Sequence, residues 1–266
     1  MRLSVQRQNQ VGIILLCISG FLLISLLVAY WTSAAHRQKL DKASGCPQSG
    51  PHSITAILLD LTDPVSPVQK EALIKYLDDL TSTIPQYGEL ALFTIKPTSN
   101  ELLHPVLEVC NPGRGSDVNM LTGNPALVEK RWQKNFYNKF NDALSRLLTS
   151  EPDATSPILE CIQQIAVQLY LGNKVQKIPK ELIIISDMIQ NTKGLSQYRR
   201  IESFQTFRTS SYYLKVRPQL SGVKVKIFYL RRTTASRIQG KRHIEFWNDY
   251  FTDAGGTLEE VISVEG

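Results

Sequence analysis

Four oxygen-bearing side chains, Asp60, Thr62, Asp63 and Ser66, fall within seven residues in the stretch SITAILLDLTDPVS. Carboxylates and hydroxyls packed this closely suit a hard divalent cation (Mg2+, Ca2+ or Mn2+), which takes oxygen ligands. Ser66 also has a reading without metal, because Ser66-Pro67-Val68-Gln69 is a capping box with proline at the first helical position. The residues before the cluster, 54–59, are too continuously apolar for a strand with one wet face and read as a central strand covered on both sides. The cluster therefore sits at a strand's carboxyl end, where open α/β sheets bind their ligands. A second apolar run, 181–186, also ends on a carboxylate, Asp187.

Other chemistries find little support. The four histidines and four cysteines are scattered, with no C-x-x-C or H-E-x-x-H spacing for zinc. Gly113-Arg114-Gly115 lacks the remaining residues of a P-loop or dinucleotide fingerprint. No His, Lys or Cys is placed to assist paired aspartates in hydrolysis, so no enzyme and no small-molecule substrate are expected.

The elements that must position these residues alternate strand and helix. After the first strand, an amphipathic helix over 67–84 carries Ala72, Leu73, Tyr76, Leu77 and Leu80 on one face. Strands are predicted at 88–95, 102–110, 181–186, 223–230 and 258–264, and helices at 126–148, from 155, over 195–214 and over 238–253. This pattern implies an α/β fold: a doubly wound, mostly parallel six-stranded sheet with helices on both faces.

In front of that domain, residues 11–31 run without a charge for 21 residues, about 31 Å as a helix and enough to span a bilayer. The expected organisation is a short tail (1–10), a transmembrane helix (11–31), a polar linker (32–51) and a domain (52–266). The positive-inside count is nearly even, and the preferred orientation keeps the tail inside and exports the domain, as for a single-pass protein of a bacterial inner membrane with a periplasmic domain. In that setting a Cys46–Cys110 disulfide could staple the linker to the sheet, whereas a reducing compartment would leave two thiols.

The 266-residue chain has a net charge of +6, unevenly placed. Residues 188–243 contain thirteen Lys or Arg, including Arg199-Arg200, Arg231-Arg232 and Lys241-Arg242, against one acid, Glu202. Such a segment suits something anionic, lipid head groups or an acidic partner before nucleic acid, which is not expected for an exported domain with no RNP-type or helix-turn-helix pattern.

Together these residues resemble the von Willebrand factor type A family over roughly residue 52 to the end of the chain. The resemblance implies a cation site at the carboxyl edge of the sheet, built from an Asp-x-Ser-x-Ser motif, a distant Thr and a distant Asp. Here those would be Asp60-Leu61-Thr62-Asp63-Pro64, Thr155 and Asp187, with Pro64 in place of the second hydroxyl. Asp63, Ser66 or water could fill that gap. The function implied is a membrane-anchored module that docks a protein partner at the cation; the alternative is a scaffold subunit of an envelope assembly with a vestigial site.

Overall fold

The computed structural model describes residues 2–35, 38–95, 102–121, 123–149, 155–173, 175–199 and 202–266. These form two compact units, Met1–Lys39 and Leu40–Gly266.

The first unit is one helix, α1 (Arg2–Ala35), extending beyond the predicted 11–31 at both ends. Its described apolar side chains, among them Leu15, Phe21, Leu23, Ile24 and Leu26, are all exposed. The expected membrane span is not met on the described residues, among which no helix is long and apolar enough to cross a membrane. Four apolar positions of the run, Val11, Ile13, Ile14 and Ala29, have side chains outside the description.

The second unit is built on a six-stranded sheet in the order β3-β2-β1-β4-β5-β6. Its strands are β1 (Ser53–Leu59), β2 (Gly88–Thr94), β3 (Leu107–Cys110), β4 (Lys180–Ser186), β5 (Val223–Leu230) and β6 (Thr257–Val264). Five run parallel, and β3 is antiparallel to β2. The helices are α2 (Pro67–Thr83), α3 (Pro125–Trp132), α4 (Asn138–Leu147), α5 (Ile158–Ile165), α6 (Phe204–Arg208), α7 (Ser211–Val216) and α8 (Lys241–Asp253). A π-helical turn, Gln133–Tyr137, joins α3 to α4, so the single predicted helix 126–148 contains a wide turn. The predicted helix over 195–214 is instead a loop followed by α6 and α7, because Ser203 and Ser210 each cap a new helix.

Every residue of β1 is buried. Ile54, Ala56 and Leu58 pack with α5–α8, whereas Ile57 and Leu59 pack with α2–α4. Period-two alternation thus feeds two cores, which is why the strand reads as continuously apolar.

The predicted linker 32–51 is in part folded. Leu40 bridges to Pro47, Ser44 accepts a hydrogen bond from the Cys110 backbone at 2.9 Å, and Cys46 is disulfide-bonded to Cys110 with a Cα–Cα distance of 4.9 Å. The compact unit therefore begins at Leu40 rather than at residue 52.

Candidate functional site

Asp60 follows β1 directly and is 3% exposed. Its Oδ1 accepts from the Thr62 backbone N–H (3.1 Å) and the Thr62 hydroxyl (2.6 Å), and its Oδ2 accepts from Ser156 (3.0 Å) and Ser186 (2.6 Å). A carboxylate offers about four lone-pair directions, and here four donors meet them. Register explains Ser186, because Leu59 pairs with Ile185 and Asp60 and Ser186 lie one step further on adjacent strands. Ser156 arrives from the start of α5, held by a two-way backbone bridge to Asn191.

The resemblance assigned the distant hydroxyl to Thr155, but Thr155 is exposed and Ser156 reaches Asp60. The Asn191 bridge draws Ser156 inward, so the neighbouring residue takes the contact. Ser66 acts as the N-cap of α2: its Oγ accepts from the Gln69 N–H at 3.2 Å, and Gln69 Oε1 accepts from the Ser66 N–H at 3.3 Å. Asp63 is half-buried, and its carbonyl accepts from Arg232 Nη2 at 3.3 Å.

Asp187, also 3% exposed, directly follows β4. Its Oδ1 accepts from the Ile189 N–H at 2.9 Å, and its Oδ2 faces Arg232 Nε at 3.4 Å. Burial and the nearby Asp60 carboxylate raise its pKa, while the Ile189 N–H and Arg232 work against that rise. The Arg232 guanidinium also donates to the Pro64 carbonyl. Gln239, fully buried, positions this arginine: its Oε1 accepts from the Arg232 N–H at 2.6 Å, and its Nε2 donates to the Asp187 and Leu230 carbonyls.

The turn after Asp187 is strained, with Met188 at φ 61°. A left-handed non-glycine residue costs about 1–2 kcal/mol, and several contacts hold it in place. Ser186 Oγ accepts the Met188 N–H at 2.7 Å, and the Met188 carbonyl accepts from His243 Nε2 (3.0 Å) and Trp247 Nε1 (2.9 Å). Tyr229 OH lies 2.7 Å from His243 Nδ1, and burial lowers the His243 pKa to about 4. His243, on α8, is a neutral side chain that supports this loop.

The loop then presents Tyr198, which is 49% exposed. Partial burial, then Asp187 and Asp63, push its phenol up to about 12. The predicted basic face divides. Arg208 and Arg217 pair with Asp253, Arg231 with Glu265, Lys241 with Glu245 and Arg232 with Asp187. Lys193, Arg199, Arg237 and Arg242 are without an ion pair among the described residues. Arg200 lies outside those residues. Segment composition is silent on which cations turn inward, because that depends on the loops following β4 and β5.

Ser156, Ser186, Gln239 and Tyr198 were not anticipated. Ser186 was the most accessible, since parity along two paired parallel strands places it beside Asp60. Among the described residues no group of three or more His, Cys, Asp or Glu side chains is placed to hold a metal.

No family model and no curated protein matches the chain. Among solved structures, the chain is similar to a conserved hypothetical protein, BatB, from Bacteroides thetaiotaomicron, at 12% identity and a TM-score of 0.42, covering 80% of this chain and 91% of that one. It is similar to the SpRpn10 VWA domain at 11% identity and a TM-score of 0.42, covering 80% and 88%. It is also similar to an aerotolerance-related membrane protein from Bacteroides fragilis, solved with multiple mutations to serines, at 12% identity and a TM-score of 0.37, covering 80% and 91%.

Proposed function

We propose that this chain is a non-enzymatic binding module that docks an acidic protein partner on the loops following β4 and β5, and that α1 anchors it to a membrane. The observation that carries the docking reading is the half-exposed Tyr198 with exposed Arg199 next to it in the chain, together with exposed Lys193, Arg237 and Arg242, which like Arg199 have no ion pair among the described residues. Exposed aromatic and arginine side chains are enriched at interface centres. The anchor reading rests on the charge-free run 11–31 and on the exposure of its described large apolar side chains, a pattern suited to lipid rather than to water.

Photo-crosslinking from position 198 of the full-length protein tests the docking reading. The adduct should disappear when Lys193, Arg199, Arg237 and Arg242 are reversed to Glu. An adduct indifferent to charge reversal would sink it. Alkaline carbonate should leave the full-length chain in the membrane fraction and release a Leu22→Arg, Leu23→Arg variant; release of both forms alike would end the anchor reading.

A further inference from the structure

The carboxyl edge departs from an oxygen-lined cation site in two ways, and the departures fit each other. Pro64 stands where a second hydroxyl ligand was expected, and its carbonyl accepts a hydrogen bond from Arg232. The same guanidinium reaches the Asp63 carbonyl and the Asp187 carboxylate. From the end of β5 it thereby ties the loop after β1 to Asp187 after β4, two of the segments that the expected cation site would join.

We propose that the Arg232 guanidinium takes the place of a divalent cation here, as a built-in positive charge that assembles the edge without metal. The residues present fit a metal poorly. Asp60 has its lone-pair directions met by Thr62, Ser156 and Ser186, and Ser186 in turn accepts the Met188 N–H. Asp187 already faces the Arg232 guanidinium at 3.4 Å. A second cation beside that pair would be repelled in a partly desolvated site, where Arg232 and Asp187 side chains are only 14% and 4% exposed. The arginine is held from behind by Gln239, whose amide is divided between the Arg232 N–H and the Asp187 and Leu230 carbonyls. Planar donors on a fixed fork suit several acceptors at once, which a lysine could not match. The proposal concerns the edge's own charge, so it can fail while the crosslinking result stands, and the reverse.

The test is thermal melting of the full-length chain in detergent, in EDTA and in excess MnCl2. Wild type should melt within about 1 °C in the two conditions, whereas Arg232→Ala should melt lower in EDTA and recover by about 5 °C with Mn2+. Adding Asp187→Ala to that variant should remove the recovery. A Mn2+-dependent rise in wild type that Asp187→Ala abolishes would overturn the proposal, as would an Arg232→Ala protein indifferent to Mn2+. If Arg232→Ala does not fold, Arg232→Gln takes its place, and paramagnetic resonance of Mn2+ with wild type gives an independent reading: a free-ion spectrum supports the proposal and a bound fraction overturns it.

Discussion

At the amino-terminal ends of the strands the protein holds a loop by a covalent bond, whereas at the carboxyl ends it holds loops by buried charge and hydrogen bonds. Cys46–Cys110 fastens residues 40–47 to the edge strand β3, 64 positions away in sequence. Opposite it, Asp60, Asp187, Arg232 and Gln239 join segments from β1, β4 and β5 without any covalent link. The covalent clamp acts mainly by restricting the unfolded chain and is indifferent to pH and salt. The polar clamp needs every partner present, because a buried polar group left alone costs more than its bond contributed. One edge is thus specified by two residues, and the other by a network in which single changes propagate.

The largest expected effect breaks the covalent side. Cys46→Ser with Cys110→Ser should cost about 4 kcal/mol, from closing a loop of this length, and lower the melting temperature by roughly 10 °C. An unchanged melt would mean that the hydrogen bonds of residues 40–47 suffice. Next comes Asp60→Ala, which leaves three buried hydroxyls without their acceptor and should cost about 3 kcal/mol in a urea titration. A loss under about 1 kcal/mol would show that Thr62, Ser156 and Ser186 find other partners.

A pH series sharpens the contrast, because Glu89 at one edge and His243 at the other are shifted in opposite directions. Burial and the Glu108 carboxylate raise Glu89, beside Cys110, from 4.5 to about 7. The unfolded chain therefore ionises Glu89 first, and its contribution to stability, full below about pH 4.5, is lost as pH rises toward 7. His243 is lowered from 6.5 to about 4, so its contribution is full above 6.5 and is lost as pH falls toward 4. Asp187 is raised as Glu89 is, so in wild type two carboxyls oppose His243 over this range. Relative to wild type, Glu89→Gln should tilt the profile toward a loss on acidification by about 1–2 kcal/mol, and His243→Asn toward a gain of similar size, both read from urea midpoints. Parallel profiles for the two variants would contradict this assignment. The smallest effect is expected for Ser66→Ala, about 1 kcal/mol from the lost cap. Were Ser66 instead essential to the edge, its cost would approach that of Asp60→Ala.

Much of the fold was legible because it is written in local patterns. The two-core strand 53–59, the strand at 223–230 and the capping box at Ser66 depend on residues close in sequence. The missed elements were those where chain direction is set by distant contacts. Leucine and tyrosine spacing over 195–214 resembles a helix, yet Gln190, Gln197 and His243 hold the first part of that segment as a loop.

By itself, the sequence determined that two aspartates would stand at carboxyl ends of buried strands, since apolar runs ending in a carboxylate admit few other placements. It also supplied Cys46 and Cys110 as the pair able to close the opposite edge. Only the tertiary structure decided which hydroxyl meets Asp60, Ser156 rather than Thr155, because a backbone bridge to Asn191 sets that one-residue choice. It likewise decided that Arg232 turns inward to Asp187 while Arg199 and Arg237 remain outside. Charge is counted along the chain, but its partners are chosen across the sheet.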